Sequence, residues 1–347
     1  MKKNRAMELY RFLSSVLILC YHCNFFLFNE EKTFATSYLL VELFFILSGF
    51  LMTGSAQKRR SELPSPLEGT RLYLTDRLKQ LYPHHVLSWL LCAALVLFVT
   101  REQSWNQVLM NGWPELLLVN IFGFVRGGYV NIVCWYLSGL LFASAITYYL
   151  LLKNPELFLR LIAPILIVFL YGTLYDGKGS LAATIIFTQY SRFYGFFRSL
   201  ADLCVGCLAR AVYDRCREKT LRHEAAWSTL FELAVFTAVA VSTVKDRGLY
   251  DFYYVLLFAG FVISVFRGQS LFSRLFDNPL SEKLGSVSYA FYLNNLVIIY
   301  PYRYYFGETG GIGRMCLICI PACFLLSVFT TRLTRQFSDL VFGKKPV

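Results

Sequence analysis

Long apolar runs recur along the whole chain, and each is close to the length needed to cross a bilayer. A transmembrane helix takes about 20 mostly apolar residues. Runs of this kind leave little sequence for a water-soluble core, so the chain is predicted to be an all-α polytopic membrane helix bundle with about ten transmembrane helices. The predicted spans are 10–28, 37–54, 83–100, 132–152, 157–174, 192–213, 227–244, 249–266, 284–303 and 311–332.

The composition agrees with a lipid environment. Of the 347 residues, 56% are hydrophobic and only 16% are charged, whereas soluble domains carry about a quarter charged residues. The net charge of +12 would indicate nucleic-acid binding in a soluble protein, but here the basic residues cluster between apolar runs, where they meet lipid headgroups. We therefore expect an integral membrane protein, with the lipid bilayer rather than nucleic acid as its partner. The expected location is a bacterial inner membrane.

The positions of the basic clusters predict the topology. Basic residues concentrate in the N-terminal segment, in the loops 55–82 and 214–226, and in the C-terminal tail, and such segments face the cytoplasm. Ten spans place all four segments, and hence both termini, on that side. This count treats the shorter apolar pieces 114–125 and 181–190 as re-entrant or interfacial. No linker divides the chain, so residues 1–347 form one predicted domain.

Arg11 and His22 are ionisable residues within the first span. Eleven helical steps amount to about three turns plus 20°, so the two side chains share one face, roughly 16 Å apart. An ionisable residue inside a span is a functional-site hypothesis. The alternative is a histidine that only hydrogen-bonds between helices for packing.

Glu42 lies in the second span at a depth similar to that of His22. The two spans are joined by a short loop and are predicted neighbours, so His22 and Glu42 are expected to meet. A carboxylate beside an imidazole fixes its tautomer and raises its basicity, as in an acid–base dyad. The alternative is a buried pair in which the two side chains only hydrogen-bond to each other and have no part in a reaction.

Ten cysteines lie mostly inside apolar runs. They include "CYHC" at 20–23, "CVGC" at 204–207 and "CLICIPAC" at 316–323. A Cys-x-x-Cys pair can bind metal or act in redox chemistry, but cysteine is also a small packing residue in apolar surroundings. Packing is favoured over a metal site, and disulfides are not predicted.

Four stretches in this order resemble the membrane acyltransferase-3 family. "RFLSSVLILCYH" matches the family's pattern of arginine, ten residues and histidine, and "VELFFILSGFLMT" resembles its second-helix segment. "RLKQLYP" at 77–83 and "LGSVSYAFYLNN" at 284–295 resemble its basic element before the third span and its closing segment. Together the four stretches cover almost the whole chain.

The resemblance implies an O-acyltransferase that moves an acyl group, most simply acetyl, from acetyl-CoA on the cytoplasmic side to an extracytoplasmic hydroxyl of a glycan or lipid-linked sugar. His22 would be the general base, with Glu42 and Arg11 completing the catalytic set, and no metal is implied. The donor-binding candidates are Arg77, Lys79, Tyr82, Arg59 and Arg60. The acceptor-binding candidates are Trp135, Arg198, Tyr292 and Asn295.

Three positions depart from the family pattern. Gln80 replaces the second arginine of the basic element, and Asn295 replaces the closing histidine. No acidic residue follows Trp135 in "CWYLSGLLFA". These departures bear on the identity of the acceptor more than on the reaction.

Two further interpretations remain open. Arg198 is followed at i+4 by Asp202, a spacing that allows the carboxylate to neutralise the guanidinium. A glycolipid or small-molecule transporter or flippase that uses His22 and Glu42 as a proton relay is the alternative to the enzyme.

Overall fold

The computed structural model describes residues 3–28, 33–63, 65–124, 128–182, 193–219, 222–241, 248–307 and 311–342. Within these ranges the regular structure is helical, as predicted. The α-helices are α1 (Arg5–Cys23), α2 (Leu40–Arg59), α3 (Pro66–Ala94), α4 (Trp105–Leu116), α5 (Trp135–Lys153), α6 (Pro155–Leu157), α7 (Ala163–Lys178), α8 (Tyr194–Cys216), α9 (Glu224–Val241), α10 (Tyr250–Arg267), α11 (Leu271–Leu275), α12 (Pro279–Leu293), α13 (Asn295–Phe306) and α14 (Gly311–Phe342).

Polar N-cap residues mark where several helices begin. The Asn4 side chain accepts a hydrogen bond from the backbone of Met7 and caps α1. Ser65 and Asn278 cap α3 and α12 in the same way, and each is followed by a proline. Proline suits the first helical position because its missing N–H would have no intrahelical partner there.

Among the described residues, seven helical stretches are long and apolar enough to cross a membrane. This confirms the membrane helix bundle, whereas the total of ten spans remains a prediction. The predicted run 284–303 is divided at Asn294 into α12 and α13, which have 15 and 12 residues. The seven stretches are Arg5–Phe26, Ser37–Arg59, Pro66–Val99, Ile132–Lys153, Pro155–Lys178, Tyr250–Arg267 and Gly311–Leu340.

The segment between the second and third spans is mostly helix rather than the predicted basic loop. α2 continues to Arg59 and α3 already begins at Pro66, which places Arg77 and Lys79 on α3. The prediction started the third span at Pro83, but α3 runs through this proline.

The predicted short apolar pieces are only partly described. Piece 114–125 contains the end of α4 and a 3₁₀ turn at Asn120–Phe122. Its last residue, and residues 183–190 of piece 181–190, lie outside the described residues.

α2 occupies the centre of the bundle. In its apolar window 83% of the residues are buried, against 22% in the peripheral stretches that hold α7 and α14. It packs against α8, α5 and α10, while α1 packs mainly against α12. The centre of the molecule therefore joins helices that are distant in sequence.

Candidate active site

His22 lies in the last turn of α1, where the helix continues into a π-helical turn at Asn24–Phe28. Its ring is half-buried, and its Nδ1 is 3.1 Å from Nδ2 of Asn295. The rings of Phe26 and Tyr292 lie 6.0 and 6.5 Å from the imidazole, centre to centre. The imidazole thus has a polar partner, Asn295, within an aromatic setting.

The break between α12 and α13 positions Asn295. The side chain of Asn294, at the break, donates hydrogen bonds to Ser327 and Thr330 of α14. Asn295 itself is fully buried, and its Oδ1 accepts from the thiol of Cys323 at 3.8 Å. Position 295, at which the chain departs from the family pattern, therefore supplies the partner of His22.

Glu42 forms a buried ion pair with Arg198 of α8. Nη2 of Arg198 is 2.7 Å from Oε2 of Glu42, and its Nε donates to the other carboxylate oxygen. Both side chains are almost fully buried, with exposures of 0% and 1%. The structure thus pairs His22 and Glu42 with different residues, in place of the expected dyad.

Aromatic rings enclose the guanidinium of Arg198. It lies 5.2 Å from the ring centre of Trp135 and 5.9 Å from that of Tyr38, distances that suit cation–π attraction. Two predicted acceptor-binding residues, Trp135 and Arg198, are therefore in direct contact. Tyr292 donates a hydrogen bond to the carbonyl oxygen of Val133, two residues before Trp135.

The interpretation that Asp202 pairs with Arg198, left open by the sequence, does not hold in the structure. Its carboxylate accepts a hydrogen bond from Tyr171 of α7, while Arg198 turns to Glu42. Spacing within one helix could not reveal this arrangement, because both preferred partners come from other helices.

The predicted donor-binding residues occupy several environments. Arg77 donates from Nε to the hydroxyl of Tyr73 at 3.1 Å and lies over its ring. The hydroxyl of Tyr82 donates to the carbonyl oxygen of Leu116 at 3.0 Å. Arg59 is 3.8 Å from Asp76.

Two further basic residues are held near the helix ends. Arg60 donates to the carbonyl oxygen of Leu152. Arg11 pairs with Glu8 at 3.0 Å on its own helix. These contacts fix where the two guanidinium groups lie but do not place a donor against them.

A small cavity lies beside Arg77. Its volume is about 20 Å³, room for about one water molecule. Ser48 and Ser144 bring hydroxyl groups to its wall, so α2, α3 and α5 meet here. The remaining lining residues are Tyr73, Leu74, Leu78, Leu81, Leu137, Leu140 and Leu141.

Sequence reasoning missed a buried carboxylate, Glu115, at the end of α4. It accepts hydrogen bonds from Nε1 of Trp89 at 3.0 Å and from the backbone N–H groups of Val130 and Asn131 at 3.0 and 2.8 Å. Its backbone carbonyl oxygen is 3.0 Å from Nε2 of His85. The signal was present, because Glu115 lies inside an apolar piece where a charged residue is costly.

The Glu115 network extends to the break between α12 and α13. The side-chain amide of Asn131 donates to Ser88 at 3.1 Å, and Ser88 donates to the carbonyl oxygen of Leu293 at 2.6 Å. Leu293 is the last residue of α12. The network thus supports the backbone that presents Asn295 to His22.

The described residues contain no group of three or more His, Cys, Asp or Glu side chains suited to a metal ion. A family model described as an acyltransferase domain matches residues 4–332. No curated protein and no solved structure matches the chain. The family match covers nearly the entire sequence and includes the helices that carry His22, Glu42, Arg198 and Asn295. The chain belongs to the acyltransferase-3 family of integral membrane acyltransferases.

Proposed function

We propose that this protein is an O-acetyltransferase that moves an acetyl group from acetyl-CoA to a hydroxyl of an extracytoplasmic glycan or lipid-linked sugar. The observation that carries the proposal is the setting of His22, a half-buried imidazole held through Nδ1 by a buried amide, on the helix that bears the family's arginine–histidine spacing. An imidazole is the side chain best suited to accept a hydroxyl proton near neutral pH.

The proposed reaction is a direct transfer. His22 takes the proton from the acceptor hydroxyl, and the oxygen attacks the carbonyl carbon of the thioester. The carbon–sulfur bond breaks, and the departing coenzyme A thiolate takes the proton back from the imidazolium. The products are the acetyl ester and coenzyme A with a free thiol.

The orientation of the Asn295 amide decides which nitrogen of His22 is basic. With Nδ2 facing Nδ1, as observed, Asn295 donates and the ring proton resides on Nε2. A reversed amide would accept from Nδ1–H and leave the lone pair of Nε2 free. We propose that the reactive state has this reversed orientation, with Asn295 in the supporting position first expected for Glu42.

The buried pair of Glu42 and Arg198 would then position neighbouring helices and side chains rather than transfer a proton. It joins α2 to α8 and places Trp135 against the guanidinium. An indole face suits the apolar face of a sugar ring, and the ring of Tyr136, the residue after Trp135, lies 5.6 Å from that of Tyr292, centre to centre. In this proposal Glu42 shapes the acceptor side of the site and does not touch the imidazole.

The donor would approach through the region of Arg77 and Lys79. Guanidinium and ammonium groups suit the phosphates of coenzyme A, and Arg77 lines the cavity formed by α2, α3 and α5. Because that cavity holds about one water molecule, the pantetheine arm requires α3 and α5 to separate there. Arg77 would hold the donor while the helices are apart.

The test is release of coenzyme A thiol by the purified protein incubated with acetyl-CoA and membrane glycolipids. We expect wild-type protein to release thiol and to label the glycolipid fraction, and His22→Ala to abolish both. Protein that neither binds nor cleaves acetyl-CoA, but carries glycolipid across a vesicle membrane in response to a proton gradient, would refute the enzyme and support the transporter.

A further inference from the structure

Four cysteines form a thiol cluster between α1 and α14. Cys20 and Cys23 are on the last turn of α1, and Cys316 and Cys319 are on the second and third turns of α14. All four are free thiols. The pairs Cys20/Cys23 and Cys316/Cys319 each have a spacing of three residues, which puts both members on one face of their helix.

The thiols of the cluster are in contact across the helix interface. The Sγ atoms of Cys20 and Cys316 are 3.6 Å apart, with Cys316 donating. Cys23 and Cys319, each three residues further along its helix, are also buried. Packing alone accounts for single cysteines in apolar helices, but it does not require a thiol–thiol contact between two helices that each carry two cysteines at this spacing.

A disulfide between Cys20 and Cys316 requires the two sulfur atoms to move closer together. A disulfide bond is about 2.05 Å long, and the Sγ atoms are 3.6 Å apart, so they must approach by roughly 1.5 Å. The bond would tie α1 to α14 at the level of His22, which lies between Cys20 and Cys23.

Cys316 is more accessible than Cys23 and Cys319. Cys316 is half-buried, and it follows the start of α14 by five residues, about 7.5 Å along the axis. Because Cys316 is partly exposed near this end of α14, we expect a small polar oxidant to reach it. Cys23 and Cys319 are both 0% exposed, so they are shielded from the same reagent.

We propose that Cys316 and Cys20 are a reactive dithiol that forms a reversible disulfide when it meets a small-molecule disulfide. The thiolate of Cys316 attacks one sulfur of the oxidant, which releases one thiol and leaves a mixed disulfide. The thiolate of Cys20 then attacks Sγ of Cys316 and releases the second thiol. Two cysteine thiols are oxidised and one oxidant disulfide is reduced to two thiols, which take up the two protons.

The test treats the purified full chain with oxidised glutathione, blocks the remaining thiols with a maleimide, and analyses tryptic peptides without reductant. Cleavage after arginine and lysine yields peptides 12–32 and 315–332, which hold the four thiols of the cluster. We expect these peptides to be linked, with the loss of two hydrogen atoms, and to separate after reduction. The blocked protein should carry two fewer maleimides.

Three variants assign the bond. Cys316→Ala and Cys20→Ala should each lose the linked peptides, while Cys216→Ala, which removes another half-buried thiol on α8, should keep them. Thermal unfolding of each variant shows whether it is folded. Wild-type protein that stays fully reduced or stops at the glutathione adduct, or a link that persists in Cys316→Ala, would overturn the proposal.

Discussion

Arg198 and Glu42 are the two residues whose burial sets the strongest constraint on the site. A charge in the membrane interior is costly and is tolerated when it is paired and hydrogen-bonded. Here the guanidinium has a two-point contact with one carboxylate and lies against two aromatic rings. Each member of the pair therefore depends on the other.

Replacing one member of this pair should destabilise the protein strongly. Arg198→Met leaves the Glu42 carboxylate buried without its cation, and breaking a buried pair in this way costs about 3–5 kcal/mol. We expect a large drop in the thermal unfolding temperature in detergent. The double variant Glu42→Gln with Arg198→Met should recover part of the loss.

The matched control is the exposed pair of Arg160 and Glu156, whose side chains are each 70% exposed. Exposed pairs contribute about 0–1 kcal/mol, so Arg160→Met should leave the unfolding temperature nearly unchanged. An equal drop in the two single variants would contradict the structural role given to Arg198.

Asn295 is predicted to position His22 without reacting itself. Asn295→Leu removes the partner of Nδ1, and the loss of one such hydrogen bond, about 1 kcal/mol, should slow transfer roughly fivefold. Asn295→Asp should preserve transfer because a carboxylate also accepts from Nδ1–H. The rate constant should change more than the Michaelis constant for acetyl-CoA, and wild-type rates in Asn295→Leu would refute this role.

α2 and α8 approach closely because two glycines remove side chains from their interface. A Cβ atom built on Gly49 would lie 2.2 Å from the carbonyl oxygen of Leu203, and one on Gly206 would lie 2.1 Å from that of Ile46. Small residues allow such contact between membrane helices. The same two helices carry Glu42 and Arg198, so their spacing sets the length of the ion pair.

Gly206→Ala should therefore damage both stability and function. The added methyl group meets backbone atoms that cannot move independently, so α2 and α8 must separate and lengthen the contact between Glu42 and Arg198. Gly172→Ala on α7 is the matched control, because no atom outside the local backbone of its own helix lies within 4 Å of the added Cβ. We expect a lower unfolding temperature only for Gly206→Ala; equal behaviour of the two variants would contradict the close packing.

For the whole molecule, the distribution of basic residues predicts that both termini face the cytoplasm. Fluorescent-protein fusions, which mature only in the cytoplasm, should be fluorescent when joined to either terminus. A fusion at residue 102, which lies between α3 and α4 and follows the third predicted span, should be non-fluorescent. A fluorescent fusion at residue 102, or a dark one at the C-terminus, would show that the span count is odd or that the orientation is reversed.

The sequence was sufficient for the class of fold and for the helices that carry the ionisable residues. It could not predict the partners, because Glu42 and Arg198 are 156 residues apart and His22 and Asn295 are 273 apart. Helical periodicity predicts which residues share a face, whereas the neighbour of that face depends on how all the helices pack. The expected dyad of His22 and Glu42 came from assuming that consecutive helices share their polar residues.

The partners of Glu115 also could not be predicted from the sequence. Its position inside an apolar piece marked it as unusual, but its partners Trp89 and Asn131 come from a different helix and from a loop. The start of α3 at Pro66 was not predicted, because the charged residues on this part of the helix look like those of a basic loop.

The most direct test of the account follows the acetyl group in sealed inside-out vesicles supplied with acetyl-CoA labelled in the acetyl carbon. Labelled glycolipid should appear on the luminal face, with coenzyme A thiol released outside. His22→Asn, which keeps an amide facing Asn295 but has no basic ring nitrogen, should abolish both. The same change at the exposed His223 should leave both intact. Undiminished labelling in folded His22→Asn would contradict the central role of His22.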